Sequence, residues 1–334
     1  MSRYDTLENG FKVVFAHEFF HLAQWNVRLF TGCLARKWTN VFIEAQATFA
    51  SSAQYPEIEL SADHLTSTDS QYSATAQRFL ERRLKTSYAT LEAEETDVYD
   101  AALYWRFLYE QAGGNMDIVR AALLEMACRP VDDVPTALDA IMDAALARVD
   151  GPFATFEQSM IAFAQANYAL RLENGRCVAQ DWAACQGKHN DPHGMYTIPS
   201  REAALSHRAG TSTYDGAIPA SFGTDLIDIF ISPDLADAPL AITFRSAGAR
   251  FGVQVWRLYS EGEPRNPSRG KTGVWAFTPQ PEKLFGDCSA ECYYLIPRLD
   301  LTQYDRLALI VVRLDPDEKA DPESAYSLIV ESPQ

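Results

Sequence analysis

The chain has 334 residues, with 29 Lys+Arg against 45 Asp+Glu, a formal net charge of −16. Apolar residues make up 47%, enough for about two domains with cores of their own. The acidic balance excludes non-specific nucleic-acid binding and docking on anionic lipid, since both need a basic surface. No apolar run reaches the ~18 residues of a membrane span. The start, Met1-Ser2-Arg3-Tyr4-Asp5, lacks the basic-then-apolar pattern of a signal peptide.

Helical periodicity dominates the first part. Residues Lys12 to Asn26 read as a helix, with Val13, Val14, Phe15, Phe19, Phe20, Leu22 and Trp25 spread over nearly every face. That pattern predicts a helix buried in a core. Thr39 to Ser52 reads as a second helix, ending before Tyr55-Pro56. Thr96 and Asp97 are N-cap residues for Val98 to Gln111, and Gly113-Gly114 stops that helix. Asn115 or Asp117 opens the next helix, which runs to about Cys128. Asp132 to Arg148 and Phe153 to Leu170 continue the pattern.

The texture changes near residue 190. Short β-rich runs follow: Leu226–Ile231, Leu240–Phe244, Phe251–Tyr259, Gly273–Thr278, Cys292–Ile296, Leu307–Leu314 and Ala325–Glu331. Short runs punctuated by Pro, Gly and Asp predict an antiparallel β-sandwich of jelly-roll type. Ile229, Ile231, Val253, Val255, Ile310 and Val312 show the alternation of half-buried strands. The expected organisation is α+β and multidomain: a mainly helical region over 1–190, a linker over 191–214 and a β-sandwich over 215–334.

Six cysteines are too few for a disulfide-built scaffold in a chain this long. Cys177 with Cys185, and Cys288 with Cys292, each bracket a short polar stretch. Local disulfides and reduced thiols both stand as readings of these pairs. Cys33 and Cys128 lie in apolar segments and read as buried, unpaired residues.

The stretch that carries chemistry is Ala16-His17-Glu18-Phe19-Phe20-His21-Leu22, an H-E-x-x-H inside a predicted helix. His17 and His21 project from one face, a turn apart, as two nitrogen ligands of one Zn²⁺ require. Glu18 lies beside them, placed to take a proton from metal-bound water. Two His and a Glu in so apolar a helix are costly to bury without a common partner. A metzincin would need Gly at 24 and His at 27; this chain has Gln24 and Val27. A gluzincin takes its third ligand from a Glu on a following helix. Glu44 fits, as the lone acid of an apolar segment, 23 residues after His21. Glu57, Glu59, Asp63 and His64 are rival ligands beyond Pro56.

The stretch His17 to Gln24, then Glu44-Ala45-Gln46-Ala47-Thr48, then Tyr55-Pro56, resembles bacterial extracellular gluzincin peptidases. So does the later stretch Tyr99 to Leu108 with Gly113-Gly114 and Ile118-Val119-Arg120, over roughly residues 11–170. The resemblance implies a zincin-like catalytic region, a Zn²⁺ cofactor held by His17, His21 and Glu44, and Glu18 as general base. It implies a protein or peptide substrate and a secreted or cell-surface location. It also implies a Tyr or His opposite the metal to stabilise the oxyanion; Tyr99 is the first candidate, then Tyr104 and His64. Thr48 and Asp100 are candidates for orienting the ligand histidines. Gluzincins carry an N-terminal β lobe, and only 16 residues precede His17, so that lobe is either missing from this chain or absent. The alternative function is a non-catalytic, zinc-stabilised binding or adhesion protein with a ligand-binding sandwich.

Overall fold

The computed structural model describes residues 3–31, 40–55, 101–127, 134–172, 203–218, 222–258, 283–288, 290–298, 306–315 and 325–333. It is an α+β mix that divides into two compact units, Met1–Thr86 with Leu91–Pro199, and Ser87–Thr90 with Ser200–Gln334.

Among the described residues the first unit holds six helices: α1 (Arg3–Thr31), α2 (Asn40–Gln54), α3 (Ala102–Gln111), α4 (Asp117–Ala127), α5 (Val134–Leu146) and α6 (Phe156–Leu172). Their ends follow local chemistry. Gly113 and Gly114 take φ of +71° and +83°, and Gly114 N–H donates to Tyr109 O at 2.9 Å. Glycine carries this left-handed reversal without a Cβ penalty. Asn115 Oδ1 accepts from Asp117 N at 2.9 Å and so caps α4. Tyr104, Trp105, Phe107, Phe156 and Phe163 are buried together. Tyr104 Oη lies 2.6 Å from Ser159 Oγ. That hydroxyl already donates to Phe156 O, so Tyr104 is the donor. Tyr104 is therefore a core residue, and burial pushes its phenol up.

α1 packs on α2, whose Ala45 and Ala47 are fully buried. The expectation that α1 is buried all round needs correction. Phe11, Phe15, Phe19, Leu22 and Trp25 are 57–69% exposed. An all-round apolar helix buries only the faces its neighbours reach, and hydropathy does not say which those are.

The second unit is a two-sheet sandwich. Its strands are β1 (Ala203–His207), β2 (Gly210–Ala217), β3 (Thr224–Ile231), β4 (Leu240–Ser246), β5 (Phe251–Leu258), β6 (Lys283–Cys288), β7 (Glu291–Ile296), β8 (Arg306–Arg313) and β9 (Ala325–Ser332). One sheet has the order β1-β3-β8-β5-β6, the other β2-β9-β4-β7. From β2 to β5 the chain alternates between sheets, and from β6 to β9 it alternates again, which is jelly-roll wrapping. Ile227, Ile229, Val253, Val255, Leu309 and Val311 of the first sheet meet Ile242, Phe244, Leu328 and Val330 of the second. Tyr326 lies between the sheets, its hydroxyl donating to Asp225 Oδ2 at 2.7 Å. A Cβ on Gly216 would stand 2.5 Å from the Tyr326 ring, so this crossing requires glycine.

Three sequence expectations change here. Residues 203–207 and 210–217, within or overlapping the expected linker, form β1 and β2. β2 is polar and half-exposed at a sheet edge, so it lacks the apolar run that announces a strand. The sandwich is not wholly antiparallel: β1 pairs with β3 in parallel. Ile310 and Val312 do not share the inter-sheet face with Val253 and Val255. They point to the opposite face, which is also buried, with Leu226, Ala308 and Trp256. The unbroken run Leu307 to Val312 is the mark of a strand covered on both sides. Cys288 and Cys292 form a disulfide between β6 and β7. Cys33, Cys128, Cys177, Cys185 and the run Gly273–Thr278 lie outside the described residues.

Candidate metal centre

α1 and α2 bring three donor atoms together. His17 Nε2 lies 3.1 Å from His21 Nε2 and 3.2 Å from Glu44 Oε2. His21 Nε2 lies 3.6 Å from the same oxygen. Three ligands of a tetrahedral ion, each about 2.0–2.1 Å from it, stand about 3.3 Å apart. A circle through the three observed atoms has a radius of about 1.9 Å, so a point about 2.0–2.1 Å from all three exists just off their plane. Among the described residues, His17, His21 and Glu44 form a group that can hold a metal ion.

The surrounding hydrogen bonds orient the rings. Gln24 Nε2 donates to Ile43 O at 3.1 Å, which fixes its amide. Its Oε1, 2.8 Å from His21 Nδ1, must then accept from that nitrogen. His21 therefore carries its proton on Nδ1 and presents a lone pair at Nε2. Thr48 Oγ1 lies 3.5 Å from His17 Nδ1 and anchors the second ring from α2. The Nε2 atoms of two imidazoles and a carboxylate oxygen thus face one point.

Burial lowers the His17 pKa, and His21 lowers it further, against opposing pulls from Glu44 and Glu18. A neutral imidazole keeps its lone pair for a metal. The histidine side chains are 16% and 19% exposed and Glu44 28%, so the group opens to solvent on one side. Glu18, the next residue on α1, is exposed.

Of the residues read from the sequence, the structure brings His17, His21, Glu44 and Thr48 together. Tyr99, Asp100, His64, Glu57, Glu59 and Asp63 lie outside the described residues. Tyr104 is committed to Ser159 in the core. Gln24 was missed as a functional residue. Its signal was its place three residues after His21, on the ligand side of the helix.

No family model and no curated protein matches the sequence. Among solved structures, the chain is similar to the pre-peptidase C-terminal domain of a collagenase from Bacillus anthracis, at 14% identity and a TM-score of 0.21. That match covers 40% of this chain and 97% of that one. It is also similar to PliG of Aeromonas hydrophila, a periplasmic lysozyme inhibitor, at 12% identity and a TM-score of 0.23, covering 40% and 99%. A third is CorA of Methylomicrobium album BG8, a surface-associated copper-binding protein, at 10% identity and 0.23, covering 39% and 96%. Scores this low carry no argument about activity or ligand.

Proposed function

We propose that the chain is a zinc-dependent peptidase of gluzincin type, with a zincin-like helical region and a β-sandwich. One observation carries the reading: three candidate ligand atoms, Nε2 of His17 and His21 and Oε2 of Glu44, lie within 3.6 Å of one another, with an exposed acid, Glu18, next on the same helix. Two imidazoles and one carboxylate suit Zn²⁺. Zinc bound there would supply a Lewis acid and bring its water within reach of deprotonation near neutral pH. Glu18 then has the base's task. It takes the proton from the attacking water and later hands it to the leaving amine. Gln24 and Thr48 hold the two rings so that both Nε2 atoms keep facing the third ligand. Tyr99 is the proposed donor to the oxyanion.

The substrate is a protein or peptide. A secreted or cell-surface location is part of the same proposal, and the Cys288–Cys292 disulfide supports it, because such bonds persist in oxidising compartments. Among the described residues no helix is long and apolar enough to cross a membrane.

The test is hydrolysis of an unstructured protein such as casein by the zinc-loaded chain, with and without chelator, beside Glu18→Gln. The expected result is chelator-sensitive cleavage in the wild type. Glu18→Gln should bind zinc stoichiometrically and lose at least about a hundredfold in rate. Zinc bound without any effect of Glu18→Gln sinks the peptidase reading. It would leave the non-catalytic binding reading, which the exposed Tyr293 and Leu295 on strand β7 favour as a contact face.

A further inference from the structure

We infer that the exposed aromatic stripe of α1 is a self-association surface, on which a second copy of this chain docks stripe to stripe. Phe11, Phe15, Phe19, Leu22 and Trp25 are spaced four, four, three and three residues apart. That mean spacing of 3.5 is the repeat of a helix that packs along another helix. Phe11 and Phe15 stack at 6.0 Å between ring centroids, and Phe15 and Phe19 at 6.1 Å, so the stripe is continuous. The five residues are exposed by 69%, 57%, 61%, 58% and 58%.

The area decides the occupant. At about 150–250 Å² per aromatic side chain, these exposures leave on the order of 600 Å² of apolar surface on one helix. A single protein rarely leaves a contiguous patch of that size open. Two such faces bury on the order of 1,200 Å² in all, where specific interfaces begin, before any polar rim is counted.

Formal charge is sparse along this helix, and Glu18 is the one charge that stands within the stripe. The chain carries −16 overall, yet residues 9–31 hold only Lys12, Glu18 and Arg28 as formal charges. Added salt screens the repulsion between two such acidic copies, the two Glu18 carboxylates included. On the helix wheel Glu18 falls inside the arc of the stripe, between Trp25 and Phe11, and the two histidines lie beyond Trp25. A docked copy therefore covers Glu18, so the monomer is the form in which Glu18 can serve as a base. The inference does not depend on whether that group catalyses anything.

The test is sedimentation of the full chain from about 0.1 to 100 µM, a range that spans the affinities of interfaces this size. It is run for the wild type and for Phe15→Glu with Phe19→Glu. The wild type should reach dimer on the order of ten micromolar, more readily in high salt. The double variant should stay monomeric throughout, a loss of about a hundredfold or more in affinity, while still binding zinc at one per chain. Hydroxyl-radical footprinting of the wild type covers the case of a misfolded variant: labelling of Phe11, Phe15 and Phe19 should rise on dilution. Monomeric wild type at every concentration overturns the inference. If its stripe is then protected, the chain's own residues cover it. If the double variant instead raises KM for peptide, substrate covers it. A double variant that still dimerises overturns the inference as well.

Discussion

Histidine is buried in both units, to opposite effect. In the sandwich, His207 is 1% exposed. Its Nδ1 lies 2.9 Å from Ser212 Oγ and its Nε2 3.1 Å from Ser332 Oγ. The Ser332 hydroxyl leans to Arg208 O at 3.5 Å, so Nε2–H donates to Ser332 and Nδ1 accepts from Ser212. Both ring nitrogens are satisfied and the neutral ring is complete. In the helical unit, His17 and His21 turn Nδ1 to Thr48 and Gln24, and their Nε2 atoms face each other and Glu44. Burial alone therefore does not mark a ligand. What marks one is a ring whose outer nitrogen is fixed and whose inner nitrogen meets other acceptors.

The largest effect that tests this contrast is loss of metal. His21→Ala removes one of three donors and should abolish stoichiometric binding, read by the visible absorption of a Co²⁺ substitute. His207→Ala should leave that signal at full height, yet cost about 1–3 kcal/mol of unfolding stability by removing a buried ring and the partner it gives Ser212 and Ser332. If both variants lose cobalt equally, the distinction between the two sites is wrong.

A smaller effect concerns the residue behind the ligand. Gln24→Leu keeps the size and burial but removes the acceptor for His21 Nδ1–H. Metal affinity should fall about ten- to a hundredfold, measured by competition with a chromophoric chelator. Gln24→Glu restores an acceptor and should recover most of the loss. Unchanged affinity in Gln24→Leu would mean that the 2.8 Å contact does not orient the ring.

Much of this geometry is local, and local geometry was legible. The four-residue spacing of His17 and His21 puts both rings on one side of a helix in any helical chain. Glu44 stood out because Ile43, Ala45, Ala47 and Phe49 around it are apolar. In the sequence Gln24 excludes a metzincin and closes the stretch that resembles gluzincins, with nothing to mark it as a partner of His21. Its partner Ile43 O belongs to another helix, so the bond exists only once α1 and α2 are packed. The same limit hid β1 and β2. β1 is five residues long and finds its register against β3 in parallel, while β2 is held by β9 more than 100 residues away. Polar edge strands owe their conformation to a partner, not to their own pattern. The exposed face of α1 was hidden for the converse reason: periodicity reports which residues prefer burial, not whether a neighbour arrives.

The smallest effect separates the two kinds of histidine by pH. Burial lowers the His207 pKa below the ordinary value. The unfolded chain therefore takes up a proton near pH 6.5 that the folded sandwich still refuses. The stability this refusal represents is fully present above about pH 6.5. It is lost as pH falls from there toward the lowered folded pKa, because protonation favours the unfolded state. His207→Gln can still accept from Ser212 and donate to Ser332 but cannot titrate. Urea unfolding of the full chain, followed through the buried Trp256, should lose stability more steeply between pH 7 and 5.5 in the wild type than in His207→Gln. Other titrating groups are common to both proteins, so only the difference in slope counts. Equal slopes would mean that His207 gains its proton as easily in the sandwich as in the unfolded chain, and its two serines would then have to be read as partners of a charged ring.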